Sequence, residues 1–215
     1  MAPRVWLMKT EPETFGIDDL ARVQIEPWTG VRNFQARNLM RDEMQVGDDV
    51  LFYHSNAHPS GVAGLARVHR TGVVDDTQFE PSSPYYDPKA KREAPTWICV
   101  DVAYVATFPR VVSLDELHTD PRLADMLVLR RGMRLSVQPA SAAHAAVIRE
   151  LSLRPAPIAS GKAKPAASAK AKAKARPAAR PATKARPAAR PKAKLAAKAK
   201  PAARKTSGAR GKARR

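Results

Sequence analysis

The sequence predicts an α+β domain followed by a disordered C-terminal tail. Short apolar runs typical of strands lie far apart in the chain and are joined by mixed elements, which favours α+β over a doubly wound α/β sheet. About five or six strands and four or five short helices are expected. The composition then changes, because the last acidic residue is Glu150 and residues 155–215 are mainly Ala, Lys, Arg and Pro. We therefore expect a domain at residues 1–154 and a tail at 155–215.

The predicted strands are apolar runs bounded by turn residues, at 5–8, 50–54, 61–74, 96–108 and 135–138. The glycine at position 64 predicts a β-bulge. Residues 96–108 are expected at the centre of the sheet. Trp6, Trp97 and Cys99 are assigned to the core because each lies in an apolar run, and no local signal suggests an activated Cys99 thiol.

The predicted helices follow residues that cap helix N-termini well. Thr14, Ser113, Asp120 and Ser141 are the expected caps, because their side-chain oxygens can accept from free backbone N–H groups. The helices are predicted at 17–23, 34–44, 114–118, 121–126 and through residue 151. Residues 27–33 and 77–93 are expected to be loops.

The charge of the chain is concentrated in the tail. The net charge is +18, yet 20 of the 38 Lys and Arg side chains and none of the 20 acidic ones lie in residues 155–215, so residues 1–154 carry −2. Frequent proline and charge repulsion oppose a stable helix there, and alanine cannot build a core. Polyanion binding is the expected role of the tail, with a solubilising extension as the alternative.

The location of the protein is expected to be the cytoplasm, with the nucleoid in a bacterium and the nucleus in a eukaryote. Cys99 is the single cysteine, which excludes an intrachain disulfide and fits a reducing compartment. The sequence contains no run of 18 apolar residues, so no membrane span is predicted. The N-terminus lacks the apolar segment of a signal peptide. The oligomeric state is left open.

The most informative motif is the run Trp-Thr-Gly-Val-Arg-Asn-Phe-Gln-Ala-Arg-Asn at 28–38. It combines aromatic, amide and guanidinium groups around Gly30, where the backbone can approach a ligand closely. Trp28 offers a flat apolar face, and neighbouring polar groups can bind an edge or a phosphate. A core role for Trp28 and Phe34 is the alternative.

The chain resembles the EVE domain family of the PUA-like superfamily. The resemblance rests on several motifs in the same order: Lys-Thr-Glu-Pro at 9–12, the run at 28–38, Phe-Tyr-His-Ser-Asn at 52–56, Ser-Pro-Tyr-Tyr-Asp-Pro at 83–88, and residues 130–139. It spans roughly residues 3–151. The resemblance implies an α+β fold built on a PUA-like bent β-barrel flanked by short helices, with a pocket for a modified base in nucleic acid.

A candidate base-binding pocket follows from these motifs. Aromatic rings stack on bases, and buried amide and hydroxyl groups can satisfy the hydrogen-bonding edge of the base. Phe34 and one of Tyr85 and Tyr86 are further candidate rings, and Asn56 a further polar contact. The predicted nucleic-acid-binding and base-binding residues are Lys9, Trp28, Gly30, Val31, Arg32, Asn33, Gln35, Tyr53, His54, Ser55, Arg130, Arg131 and Ser136.

Basic side chains near these motifs are candidate phosphate contacts. They are Lys9, Arg32, Arg37, Arg130, Arg131 and Arg134. Phosphate contacts position a nucleic acid but carry little sequence information. Ion pairs with Glu11, Glu13, Asp87 or Asp125 are the structural alternative for each.

No pattern of catalytic or metal-binding residues stands out. The histidines at 54, 58, 69, 118 and 144 lack metal-ligand spacing, and no Walker loop or G-x-G-x-x-G is present. His54 is a candidate general base, with a structural histidine as the alternative. No catalytic residue, metal or cofactor is predicted.

Three functions remain open from the sequence. The first is a non-enzymatic reader of a methylated or hydroxymethylated base in DNA or RNA, with phosphate affinity from the tail. The second is a nucleoid-associated, DNA-condensing protein driven by the tail. The third is a nucleic-acid-processing enzyme.

Overall fold

The protein folds around one mixed sheet of six strands. The computed structural model describes residues 3–156, so the predicted tail lies almost entirely outside the described residues. The strands are β1 (Val5–Thr10), β2 (Ile25–Pro27), β3 (Asp49–His54), β4 (Gly61–Val74), β5 (Ile98–Ser113) and β6 (Val137–Ala140). The helices are α1 (Pro12–Phe15), α2 (Ile17–Val23), α3 (Phe34–Asn38), α4 (Leu114–Thr119) and α5 (Ala142–Leu153).

The strand order is β2-β5-β4-β3-β1-β6, which leaves the hydrogen-bonded sheet open with β2 and β6 at its edges. Each edge strand contains a proline, Pro27 in β2 and Pro139 in β6. Proline has no backbone N–H and cannot donate a hydrogen bond to a further strand. All pairs are antiparallel except β1 with β3, which run parallel. The carboxyl ends of β1 and β3 therefore lie side by side, with Thr10 opposite His54.

The long strands β4 and β5 bend at several register shifts. One shift lies between Val62 and Gly64, so the predicted bulge at Gly64 is confirmed. A Cβ at Gly64 would come within 2.4 Å of the Ala106 carbonyl oxygen, which explains why this close crossing carries glycine.

Two hydrophobic cores lie on opposite faces of the sheet. Alternation along β3 sends Phe52 to the core with Trp6, Trp28 and Cys99, and sends Tyr53 to the core with Leu117 and Ile148. Strands β1 and β3 are thus buried on both faces, which accounts for their nearly continuous apolar sequence. The core assignments of Trp6, Trp97 and Cys99 are confirmed.

Several local predictions need correction. The helix predicted at 34–44 changes after Asn38 into a π-helical turn, Leu39–Glu43. Strand β2 was not predicted, because residues 25 and 26 were assigned to no element and Pro27 to the loop 27–33. Strand β6 begins two residues later than expected. Gly16, not Thr14, precedes α2, and Asp120 caps the 3-10 turn Pro121–Leu123 in place of a longer helix. The caps at Ser113 and Ser141 are confirmed.

None of the helices between residues 3 and 156 combines the length and apolarity that crossing a bilayer demands.

Candidate functional site

A cavity of about 670 Å³ opens where the parallel strands β1 and β3 end. The strand ends, the loop before α3, the loop around Tyr85 and the segment before β6 form its wall. Its lining residues are Lys9, Thr10, Glu11, Thr14, Trp28, Thr29, Gly30, Val31, Arg32, Asn33, Ser55, Asn56, Tyr85, Arg134 and Ser136.

Most of the predicted site residues meet at this cavity. Eight of them line it: Lys9, Trp28, Gly30, Val31, Arg32, Asn33, Ser55 and Ser136. The remaining five, Gln35, Tyr53, His54, Arg130 and Arg131, are not among the lining residues. Residues 9–14, 28–33 and 134–136 come together only because the sheet places their strands and loops at one end.

Trp28 lines the cavity although its side chain is almost fully buried. The side chain is 3% exposed, and its ring meets Phe52 edge-on with centroids 5.5 Å apart. The indole nitrogens of Trp6 and Trp97 donate to Asp48 and Asp87 at 2.8 Å. The Trp28 indole N–H has no such acceptor among residues 3–156.

That N–H group also keeps contact with solvent. Within the described chain, two fully enclosed side-chain polar atoms lack a hydrogen-bond partner, Asp101 Oδ1 and Gln138 Oε1. The Trp28 nitrogen, which also lacks a partner there, is not one of these enclosed atoms. The Trp28 nitrogen is therefore accessible from the cavity that the residue lines. It is a hydrogen-bond donor available to a ligand acceptor.

Arg32 holds two loops of the cavity wall together. Its Nη1 lies 2.7 Å from Asp75 Oδ2, its Nε donates to the Tyr85 carbonyl at 2.7 Å, and its Nη2 donates to Thr77. Asp75 is 2% exposed and also accepts from the Gly30 backbone N–H at 2.8 Å. We call Gly30, Arg32, Asp75, Thr77 and Tyr85 the Asp75 cluster. Arg32 was predicted to bind a ligand, but its guanidinium forms a structural ion pair with Asp75. Asp75 is none of the four carboxylates considered above as ion-pair partners.

The close approach at Gly30 is made by Tyr85. Gly30 has a φ of +83°, and a Cβ there would stand 2.8 Å from the Tyr85 ring. Tyr85 is half-buried and lines the cavity, so its ring is more accessible than that of Trp28. Arg32 lies 5.5 Å from the centroid of this ring, which fixes the ring's position.

Lys9 brings a cation to the cavity wall without a carboxylate partner among residues 3–156. Its Nζ lies 3.5 Å from the Met133 carbonyl oxygen and 5.8 Å from the Tyr53 ring centroid. Burial lowers the pKa of the Lys9 ammonium from its ordinary value. A half-buried ammonium of this kind gains from an incoming acceptor or anion.

The remaining lining groups form a polar rim. Ser55 donates to the Thr10 carbonyl at 3.1 Å, Asn56 donates to Glu11 at 2.6 Å, and Asn33 caps α3 by accepting from Ala36. Four lining residues were not predicted as site residues: Thr10, Glu11, Thr14 and Thr29. Glu11 could have been predicted from the sequence, because it belongs to the Lys-Thr-Glu-Pro motif.

Tyr53 belongs to the opposite face of the sheet. The ring facing Trp28 is Phe52, because neighbouring strand residues point to opposite faces. Tyr53 is 4% exposed, and burial raises the pKa of its hydroxyl. Its expected role as a base-stacking ring is not supported by this position.

His54 supports the fold behind the cavity. Its Nε2 accepts from the Ile17 backbone N–H at 3.1 Å, so the neutral ring carries its proton on Nδ1. Burial lowers the pKa of His54, and Asp18 opposes this only in part. An imidazolium would also lose the bond that His54 accepts from the Ile17 N–H.

This arrangement predicts a pH-dependent stability. A lowered folded-state pKa means that the contribution of His54 is complete above its unfolded value, about 6.5, and is lost as the pH falls through the folded value. Urea unfolding at pH 7.5, 6 and 5 should show a steeper acid loss in the wild type than in His54→Gln. The exposed His69→Gln is the matched control and should keep the wild-type steepness. Parallel pH profiles for wild type and His54→Gln would contradict this role.

Gln35 and Phe34 lie on the outer surface at the start of α3. Gln35 is exposed, and Phe34 is 59% exposed and stacked on Trp97 with ring centroids 4.9 Å apart. Neither side chain lines the cavity, although each follows the cavity residue Asn33 closely in sequence. The motif at 28–38 therefore led to the prediction of two site residues, Phe34 and Gln35, that lie outside the cavity wall.

The basic loop 130–134 reaches the cavity through its last residue. Arg134 lines the cavity, whereas Arg130 and Arg131 are exposed outside it. Within residues 3–156 none of these three arginines lies within ion-pair distance of a carboxylate. The pKa of Asp125 is lowered mainly by its hydrogen bond with His144, and Arg130 contributes only a little at longer range. Three unpaired cations beside one cavity form a surface suited to phosphate.

A serine, a histidine and an aspartate come together outside the cavity. Ser141, His144 and Asp125 lie together elsewhere, but His144 Nδ1 accepts from the Ser141 backbone N–H at 3.2 Å while Nε2 binds Asp125. The imidazole therefore cannot take the Ser141 hydroxyl proton. Residues 3–156 also contain no group of three or more His, Cys, Asp and Glu side chains able to hold a metal ion.

Comparisons with known proteins agree on one family. The profile of the EVE domain matches residues 4–151. Zebrafish thymocyte nuclear protein 1 is 44% identical over 64% of this chain and 67% of its own, and the human protein is 40% identical over 62% and 67%.

Solved structures show the same fold. A hypothetical protein from Leishmania major is 48% identical with a TM-score of 0.66, covering 70% of this chain and 94% of its own. Human THYN1 in complex with DNA containing 5-methylcytosine is 38% identical with a TM-score of 0.65, covering 71% and 99%. The predicted α+β, PUA-like fold is confirmed. The chain belongs to the EVE domain family.

Proposed function

We propose that the protein binds nucleic acid and holds one extruded, modified base of the 5-methylcytosine kind in this cavity, without altering it chemically. The observation that carries the proposal is the Trp28 indole N–H, which has no acceptor within residues 3–156, in a cavity edged by cations that have no carboxylate partner in the same range. The human relative whose structure contains 5-methylcytosine DNA shares 38% identity with this chain, which supports the ligand class.

The size and chemistry of the cavity suit a base. A volume of about 670 Å³ lies within the range of small-molecule sites, about 300–1,000 Å³. In the proposal, Tyr85 supplies the ring for stacking, and the Trp28 N–H donates to an acceptor on the base. Lys9 and the side-chain amides of Asn33 and Asn56 satisfy the remaining polar edge of the base. A methyl group adds apolar contact without a new polar demand.

The phosphates on either side would be bound by Arg130, Arg131 and Arg134. These cations have no carboxylate within ion-pair distance among residues 3–156, so binding a phosphate breaks no existing ion pair. The tail adds sequence-independent affinity through its 20 cations. The cavity then decides which base is preferred, and the tail decides how strongly nucleic acid is held overall.

The test is a competition experiment on the full chain. DNA hairpins that differ only in one central base compete for the protein. That base is cytosine, 5-methylcytosine or 5-hydroxymethylcytosine, and a matched adenine hairpin carries N6-methyladenine. An RNA hairpin containing 5-methylcytosine is included. Because the tail binds all of them alike, its contribution cancels in the ratio of affinities. We expect one modified base to be preferred at every salt concentration.

Salt separates the two contributions. If the tail contacts six to ten phosphates, log K should fall against log salt with a slope of about −5 to −9. The ratio between modified and unmodified hairpins should stay constant while the absolute affinity falls. Salt-sensitive binding with no preference among bases would favour the DNA-condensing alternative. A changed base recovered after incubation would favour the enzyme.

A further inference from the structure

Among the residues that the structure describes, one acidic side chain lines the cavity, that of Glu11. The other charged side chains of the described wall are cationic: Lys9, Arg32 and Arg134. A carboxylate and the phosphates of a nucleic acid repel each other, so an acidic group at this place weakens binding to the backbone. Its presence in the wall calls for a physical account.

The Glu11 carboxylate is not used to stabilise the neighbouring helix. Glu11 directly precedes α1, where a side chain often accepts from a free backbone N–H, yet it makes no such bond. It also forms no ion pair within residues 3–156, although Lys9 and Arg134 line the same cavity. The side chain is exposed, so a ligand in the cavity can reach it.

Asn56 holds the carboxylate at the end of the parallel strands. The Ser55 N–H donates to the Thr10 carbonyl at 2.8 Å, which brings the next residues of the two segments together. Asn56 Nδ2 then donates to Glu11 Oε1 at 2.6 Å. Asn56 has a φ of +53°, a left-handed conformation that asparagine tolerates better than most residues. Glu11 Oε2 has no hydrogen-bond partner within residues 3–156.

This free oxygen differs in chemistry from the other groups offered to a base. The Trp28 indole and the Lys9 ammonium are donors, whereas an ionised carboxylate can only accept. Cytosine and adenine carry an exocyclic amino group, which donates, and thymine carries an acceptor oxygen in its place. The wall therefore combines donors for the acceptor atoms of a base with one acceptor for an amino group.

We propose that Glu11 is the residue that selects an amino-bearing base, by accepting a hydrogen bond from its exocyclic amino group. This inference rests on the proposed function and names the class of base within it. Thymine carries the same methyl group as 5-methylcytosine and occurs throughout DNA. A cavity that recognised the methyl group alone would be filled by thymine, and the carboxylate prevents this because it would face the thymine oxygen.

The experiment compares Glu11→Gln with Glu13→Gln in the full chain. Glu13 is also exposed and lies in α1, but it does not line the cavity, so its substitution is the matched control for the loss of one negative charge. Four DNA hairpins carry cytosine, 5-methylcytosine, thymine or 5-methylpyrimidin-2-one, which lacks only the amino group. Each base stands opposite an abasic site, so that no difference in base pairing contributes. Melting temperatures establish that both variants are folded.

The wild type should bind 5-methylcytosine about 5- to 100-fold more tightly than thymine or the pyrimidinone, as expected for one buried hydrogen-bonding group that gains or lacks its partner. Glu11→Gln should bring the ratio of 5-methylcytosine to thymine close to one, because an amide offers both a donor and an acceptor. Glu13→Gln should keep the wild-type ratio, even if the lost charge raises the affinity for all four hairpins.

Two failures remain distinguishable. Equal affinity of the wild type for 5-methylcytosine and thymine, an unchanged ratio in Glu11→Gln, or the same change in Glu13→Gln would overturn the role of Glu11 alone. Equal affinity of the wild type for cytosine and 5-methylcytosine would instead overturn the recognition of a modified base, and the thymine ratio would still decide on Glu11 separately.

Discussion

Replacing Asp75 with alanine is expected to lower the free energy of unfolding by about 3–5 kcal/mol, because it leaves a partly buried Arg32 charge without its partner. The Gly30 N–H loses its acceptor in the same change. Chemical denaturation measures the loss directly.

The neighbouring Asp76 provides the control. Asp76 is exposed, so Asp76→Ala should change stability by no more than about 0.5 kcal/mol. Asp75→Ala should also lose the preference for a modified base, because Tyr85 and the Trp28 loop are no longer held together. A stable Asp75→Ala protein with intact preference would show that the Asp75 cluster does not maintain the cavity.

Replacing Trp28 with phenylalanine should weaken the binding of any base in the cavity, so that tail binding, which does not distinguish bases, dominates and most of the preference for the modified base is lost. The change keeps an aromatic ring in the core but deletes the one free indole N–H, which leaves the acceptor on the base unpaired at a cost of about 1–3 kcal/mol. This corresponds to roughly 5- to 100-fold in affinity for the modified hairpin. The hairpin competition provides the measurement.

Trp6→Phe is the matched control, because it makes the same chemical change away from the cavity. Its indole donates to Asp48, so Trp6→Phe should reduce stability but leave base preference intact. Trp28→Phe should show the opposite pattern. Loss of preference in both variants, or in neither, would argue against a direct contact between the Trp28 N–H and the base.

Features that depend on nearby residues were predictable from the sequence. Ser113 and Ser141 each bond to a backbone group three residues ahead, so a short window contains the whole interaction. The bounds of β4 follow from an apolar run ended by charged residues. Eight of the thirteen residues that were predicted for the site line one cavity.

Features that depend on distant partners were not predictable. Arg32 was expected to meet a ligand, but its partner Asp75 lies 43 residues away. Tyr53 was predicted to line the pocket because it belongs to the Phe-Tyr-His-Ser-Asn motif, yet the pleat of β3 turns its side chain into the other core. Similarly, β2 is a strand only because β5 lies alongside it.

The cavity wall is assembled from distant parts of the chain, between Lys9 and Ser136. No local opening of one segment can leave the binding surface complete. Ligand binding is thus thermodynamically linked to folding of the whole domain, and a ligand at 100 times its Kd should add about 2.7 kcal/mol to the unfolding free energy. The melting temperature of the unlabelled protein becomes a direct reporter of occupancy, by which free modified nucleosides can be ranked without any oligonucleotide.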